Sequence, residues 1–204
     1  MYIPSYFAEN NWQIAVAFMQ QYNFATLVSV GQQAPRATHL PFVVEYVDEQ
    51  LNLYTHLSAL NEQQHDFAAE QELLVIFQEP HAYISPRLYD KRQSVPTWNY
   101  VAVHVYGKAS LLTNEADKIG VLEKMIQQYE ASYQQQWDAL SPKYKNGLLR
   151  GIVAIKITVE RIEAAYKLSQ NKSSAERVRI AHTLQDSSDS VVQQTGAMML
   201  ERLP

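Results

Sequence analysis

Cysteine is absent from all 204 residues, which excludes disulfides, thiolate nucleophiles and zinc sites built on thiolates. Glycine is scarce as well, at six, and no GxGxxG, GxxxxGK[ST] or GxSxG occurs, so neither a dinucleotide fold nor a phosphate loop nor a nucleophile elbow is expected. No stretch approaches the roughly 20 consecutive apolar residues of a membrane-spanning helix. Met1 to Asn10 has neither the basic start nor the apolar run of a secretory leader, and the expected place of the protein is the cytoplasm, away from membranes. A basic excess is missing too. With 17 basic against 21 acidic side chains the formal charge is -4, so any contact with DNA has to be local, weak and strongly salt-dependent. Six histidines are present, but none are spaced i, i+4 and there is no CxxC to accompany them, and no metal site is expected.

What is present suits one sizeable core, since 47% of the residues are apolar. Trp12, Ala15, Val16, Met19 and Tyr22 lie three or four apart behind Asn10 and Asn11 and predict a first helix. Phe24 to Val30 reads as a strand and Gly31 to Pro35 as a turn. Arg36 to Tyr46 resumes an extended pattern that Pro41 interrupts. Asp48 to Gln50 is a polar turn before a strand over Leu51 to Thr55. Leu60 to Ala69 is weakly helical, and Leu73 to Phe77 is a buried strand. Pro80, Pro86 and Pro96 bracket an irregular stretch before a strand over Tyr100 to Tyr106. Thr113 is the expected N-cap of a helix running to about Tyr133, with Ile119, Leu122, Met125, Ile126 and Tyr129 as its apolar stripe. Val153, Ile155, Ile157 and Val159 alternate with Ala154, Lys156, Thr158 and Glu160, the strongest strand signal in the chain.

Six or so strands with marginal helices predict an α+β protein built on a closed or nearly closed antiparallel barrel, because closure removes exposed edges. From Ser173 the character changes to two helices separated by Asp186 to Ser190. Residues 1–172 are therefore read as the barrel domain and 173–204 as a helical extension of it. Residues 161–182 hold Arg161, Lys167, Lys172, Arg177 and Arg179 against Glu163 and Glu176. That segment is +3 and leaves -7 for the remainder of a chain whose total is -4.

Three polar and aromatic clusters stand out: Pro35 to Phe42, Tyr54 to Ser58, and Val95 to Tyr100. Each places donors at a strand or its end, and the residues alone leave two readings open, strand-terminal caps or a ligand site. Taken with His81-Ala82-Tyr83-Ile84-Ser85-Pro86, Val103-His104-Val105-Tyr106-Gly107 and Lys167-Leu168-Ser169-Gln170-Asn171, these clusters resemble the PaiB-type family of FMN-binding negative transcriptional regulators. The resemblance runs from Met1-Tyr2-Ile3-Pro4 to the C-terminal helices.

It implies a split β-barrel of the pyridoxamine-oxidase type, a homodimer, and FMN sites at the subunit interface. It also implies that the phosphate is held by Arg36 with Thr38 and His39, and by Tyr54, Thr55 and Ser58 with Asn61 nearby. Trp98 and the Lys167 to Gln170 segment would serve the flavin ring and its rim. Guanidinium and hydroxyl donors suit a phosphate, and an apolar slot suits an isoalloxazine. Relatives carry a basic residue where this chain has Ala59, so the resemblance implies FMN binding that is weakened or lost here. The expected role is a non-enzymatic regulator with DNA or a regulatory protein as partner. The alternatives are an FMN-dependent oxidoreductase or flavin reductase, in which the cofactor carries the chemistry, and a flavinless dimeric adaptor.

Overall fold

The computed structural model describes residues 1–31, 34–69 and 71–203. Part of the turn expected at Gly31 to Pro35 lies outside the described residues. The β-branched run in Phe24–Val30 forms β2 with the bounds its pattern predicts, burying Ala25, Leu27 and Ser29 on one face. β3 (Pro35–Pro41) pairs antiparallel with it, from Phe24↔Pro41 to Val30↔Pro35. After Phe42 comes β4 (Val43–Val47), which returns as β5 (Gln50–Ser58) through a two-residue turn. Asp48 and Glu49 take φ of 51° and 62° there, the left-handed pair that a hairpin's twist demands. β5 pairs on its other side with β8 (Ile152–Lys167), from Asn52↔Thr158 to Ser58↔Ile152. The short β1 (Ala8–Glu9) pairs with the far end of β8.

The three longest strands exceed their sequence expectation. β6 (Glu72–Ile84) does not stop at Phe77; it continues through Pro80, so part of the stretch expected to be irregular is strand. The reason is a change of phase. Leu73, Val75 and Phe77 are inward, then Pro80, Ala82 and Ile84, so the odd positions give way to the even ones and a single alternating template fails across Gln78 and Glu79. β7 (Thr97–Leu112) and β8 each span 16 residues. In β7, Gly107 has no room for a side chain, because a Cβ there would collide with the carbonyl of Thr158 on β8.

The hydrogen-bonded order is β3-β2-β6-β7-β8-β5-β4, with β1 against β8. The sheet does not close, as a split barrel implies: among the described residues β3 and β4 end the path as two edges, and the barrel is split between them. One residue joins the edges. Phe42 donates its N–H to the Asn23 carbonyl at 2.8 Å and accepts from the Gln128 side chain at 3.1 Å. Its ring is fully buried, tilted against Phe77 with centroids 5.8 Å apart.

Two compact units are distinguished. One comprises Val16–Phe77 and His104–Ile162, the other Met1–Ala15, Gln78–Val103 and Glu163–Pro204. α1 (Trp12–Gln21) buries Ala15, Val16, Phe18 and Met19, leaving Trp12 partly exposed instead of on the buried stripe. α2 is Glu115–Tyr129, and its N-cap is Asn114, not Thr113; the Asn114 side chain accepts from Asp117 N–H at 2.8 Å, a reach the carboxamide provides from one residue later. Its most buried residues are Val121 and Met125, packed with Val43 and Ala154, while Leu122 and Ile126 are only half-buried. α3 (Gln134–Ala139) and α4 (Pro142–Leu149) follow.

The tail forms α5 (Ser174–Gln185) and α6 (Ser190–Glu201). A reciprocal capping box between Ser173 and Glu176 starts α5. Backbone N–H groups of Asp90 and Ser173 hold the Glu176 carboxyl below the usual carboxylate range. Gly196 lets α6 approach α5, since a Cβ there would lie 2.6 Å from the Ala181 carbonyl. The tail thus packs into one unit with residues 1–15 and 78–103.

Phe42→Ala is expected to destabilise the protein by about 3–5 kcal/mol, the cost of a vacated buried aromatic site. Urea denaturation followed by circular dichroism measures it, and a loss under 1 kcal/mol would show that the corner is held by its backbone bonds alone.

Candidate functional site

On β3, alternation puts Arg36 and Thr38 on one face and His39 on the other. The first two meet the 3-10 segment Glu62–Ala69. Arg36 Nη1 lies 3.0 Å from Asp66 Oδ1, and its second terminal nitrogen lies 3.7 Å from Glu62. Thr38 donates to Gln63 Oε1 at 2.5 Å and accepts from Asn61 Nδ2 at 3.0 Å. His39 turns away and meets Thr26, its cross-strand partner, with Nδ1 and the hydroxyl 2.9 Å apart. Of the expected phosphate residues, the structure therefore brings Arg36, Thr38 and Asn61 together.

Gln63 binds this group and has no signal in the sequence, where it lies in the polar run Asn61 to His65. It is 1% exposed, and its Nε2 lies within 3.1–3.3 Å of Ser29 Oγ, Leu27 O and Arg36 O. Ser29 in turn donates to Asp66 at 2.6 Å. Asp66 is thus fixed from below while it faces Arg36, and the guanidinium charge is already compensated.

β5 divides the Tyr54 to Ser58 cluster. Leu53, Thr55 and Leu57 share the core face, and Thr55, 0% exposed, donates to the Pro41 carbonyl at 2.7 Å. It is a core hydroxyl that braces the corner beside Phe42, because strand alternation cannot present Tyr54 and Thr55 to the same ligand. Tyr54 lies on the opposite face under α2, where Lys124 Nζ is 5.0 Å from its ring centroid and 2.6 Å from Glu45. Desolvation raises the Tyr54 pKa. Ser58 is exposed, and its hydroxyl accepts from Leu60 N–H at 3.2 Å, shaping the turn toward Asn61.

The other unit holds Trp98, Lys167 and Gln170. Trp98 is 53% exposed, with the rings of Tyr83 and His81 each 6.0 Å away. Lys167 Nζ donates to the Trp98 carbonyl at 2.6 Å and to the Thr97 hydroxyl. Partial burial lowers its pKa, and it has no carboxylate partner among the described residues. Gln170 is spent locally, accepting from Leu168 N–H at 2.8 Å and donating to the Tyr166 carbonyl. Between them Ser169 adopts φ 61°, a conformation costly for a residue with a side chain. Asn99, fully buried, holds it through paired bonds of 2.9 and 3.1 Å with the Ser169 hydroxyl. This anchor, too, was not visible in the sequence.

Residues 1–161 match a family described as “Putative FMN-binding domain”. The chain belongs to this FMN-binding family. It is 42% identical to Protease synthase and sporulation protein PAI 2 of Bacillus subtilis (strain 168), an alignment covering 100% of this chain and 98% of that one. Among solved structures it is similar to the flavocytochrome Anf3 from Azotobacter vinelandii, at a TM-score of 0.65 and 15% identity over 81% of this chain and 72% of the other. It is also similar to the FAD and heme binding protein from Mycobacterium smegmatis, at 0.62 and 14% over 78% and 73%. At those identities the likeness is one of fold, and that fold is the flavin-binding split barrel.

Each unit by itself offers groups whose chemistry suits part of a flavin: hydroxyl, amide and guanidinium donors around Arg36 suit a phosphate, and in the other unit the exposed indole of Trp98 beside the Lys167 ammonium suits a ring. The basic segment 161–182 fits nucleic acid poorly. Arg161 stacks on Tyr106 at 3.6 Å, Lys172 sits 3.8 Å from the Tyr89 centroid, Arg177 donates to the Arg202 carbonyl at 2.6 Å, and Arg179 pairs with Asp90 at 2.7 Å. With Lys167 bonded as above, each of its five cations has an internal partner.

Gln63→Leu keeps the volume and removes the side-chain bonds of Gln63 to Thr38, Ser29, Leu27 and Arg36. A loss of about 1–3 kcal/mol of stability is expected from the stranded buried groups, read from the urea midpoint. An unchanged midpoint would mean that Thr38, Ser29 and Asp66 hold the segment without it.

Proposed function

We propose that the protein is a homodimeric FMN-binding regulator without a catalytic role of its own. The observation that carries the flavin is the pairing of Trp98 with Lys167: an exposed aromatic face next to a partly desolvated ammonium with no carboxylate to neutralise it among the described residues. Such an ammonium is stabilised by an electron-rich carbonyl or an anion, and an isoalloxazine edge offers both according to its redox state. Bound FMN supplies redox chemistry. The chain's residues bind and orient it, with Trp98 and Lys167 at the ring and Arg36, Thr38 and Asn61 at the phosphate.

In a homodimer the two sets are free to come from different copies of the chain. The regulatory class comes from the resemblance to the PaiB-type family, and the 42% identity to Protease synthase and sporulation protein PAI 2 supports that resemblance. It does not rest on residues 161–182, whose cations are engaged internally. The phosphate side is the weaker half, because Asp66 and Glu62 compete for Arg36 and position 59 is alanine.

Calorimetric titration with FMN and riboflavin separates the two halves. Arg36→Ala is expected to weaken FMN by about 1.5–3 kcal/mol, roughly ten- to a hundredfold, and to leave riboflavin unchanged. Lys167→Met should weaken both ligands alike, and Ala59→Arg should tighten FMN alone. Equal effects of Arg36→Ala on the two flavins would remove the phosphate assignment. Turnover of NAD(P)H by the flavin-loaded protein would overturn the non-enzymatic reading. Light scattering at micromolar concentration is expected to give twice the 23.4 kDa chain mass, and a monomer there would contradict the dimer.

A further inference from the structure

The expected apolar stripe of α2 serves two purposes. Val121 and Met125 enter the core, but Leu122, Ile126 and Tyr129 line a cavity of about 420 Å³ with Tyr133, Trp137 and Leu148. That volume lies in the range of small-molecule sites. Its polar contributors are few. Tyr129 already donates its hydroxyl to Asn23 at 2.8 Å, and the Trp137 indole N–H is committed to Glu123 at 3.2 Å, so both offer the cavity their apolar faces.

His56 also lines it, from the outer face of β5. Its Nδ1 is buried and has no hydrogen-bond partner among the described residues. Burial lowers the His56 pKa, so the ring is neutral at pH 7 and keeps one nitrogen as donor and one as acceptor. Glu130 adds an exposed carboxylate to the rim that makes no ion pair among the described residues and repels anions.

We propose that this cavity is a second ligand site, separate from the flavin residues, that takes a small uncharged aromatic alcohol of the phenol class, with its hydroxyl on His56. The aromatic and aliphatic walls set the apolar body. A hydroxyl both donates and accepts, so it suits a neutral imidazole in either tautomer. The Glu130 carboxylate at the rim rejects phosphates and carboxylates, which distinguishes this ligand from FMN.

The test uses 2-naphthol and naphthalene as probes, titrated calorimetrically into the full chain with and without saturating FMN. Saturable binding of 2-naphthol is expected, with a Kd on the order of 10–100 µM for a ligand of this size. Naphthalene should bind about tenfold more weakly, the worth of one hydrogen bond. His56→Leu should erase that difference and keep naphthalene binding. Ile126→Trp should fill the cavity and abolish both, and Leu148→Trp, at a more exposed position, gives the same readout if Ile126→Trp fails to fold. FMN affinity should be unchanged in all three variants. Three results would each overturn the proposal: no saturable binding; displacement of 2-naphthol by FMN, which would make the cavity the flavin's own slot; or a change of oligomeric state in Leu148→Trp without naphthol binding, which would make it a face between copies.

Discussion

The geometry of the split barrel turns on how the chain passes from one sheet edge to the other at Phe42. A twisted sheet that does not close leaves two edges, and β3 and β4 are those edges with one residue between them. The link is stiff because its amide and carbonyl are both bonded, its ring is buried on Phe77, and the Thr55 hydroxyl ties the preceding carbonyl of Pro41 to β5. With that corner fixed, strand alternation decides the rest. Arg36 and Thr38 face the 3-10 segment, Tyr54 and His56 face outward, and Thr55 is given up to the core.

Two buried amides do comparable work in the two units. Gln63 joins β2, β3 and the 3-10 segment through side-chain bonds, and Asn99 holds Ser169 in a left-handed conformation. Both are satisfied at several atoms, the condition under which a buried polar group fixes a unique arrangement instead of destabilising it. Gln63 bonds Thr38 and the Arg36 carbonyl, and Asn99 follows Trp98 in the chain and bonds Ser169, so each amide orders candidate residues within its own unit.

Charge compensation gives the candidate cations unequal value. Arg36 already has Asp66 at 3.0 Å, and an incoming phosphate must compete with it, whereas among the described residues Lys167 donates to neutral oxygens. Charge assistance is worth most where no internal counter-ion exists. An incoming anion would therefore meet an internal competitor at Arg36 and, among the described residues, none at Lys167. Basic residues close in sequence do not amount to a basic surface, as the internally bonded cations of residues 161–182 show.

Period-two alternation and capping signals were enough to mark β2, the split of β3 from β4 at Pro41, the hairpin at Asp48 and Glu49, and the two tail helices, because these depend on interactions within a few residues. The ordered motifs likewise identified the family and the split-barrel fold before any contact was known. Where the pattern changed phase, at Gln78 and Glu79, the strand was lost to view. Local pattern left open whether the barrel closes fully, because strand order depends on pairings between residues far apart in the chain. The site was legible as a set of residue types and not as an arrangement. Arg36, Thr38 and Asn61 stand out as candidates, and the structure brings them together, yet the partners that set their charge and direction, Gln63, Ser29 and Asp66, come from separate elements and look like surface polars in the chain. Only tertiary structure decided which hydroxyl is core, which cation is compensated, and which apolar residues of α2 line a cavity, since burial and charge pairing depend on residues far apart in sequence.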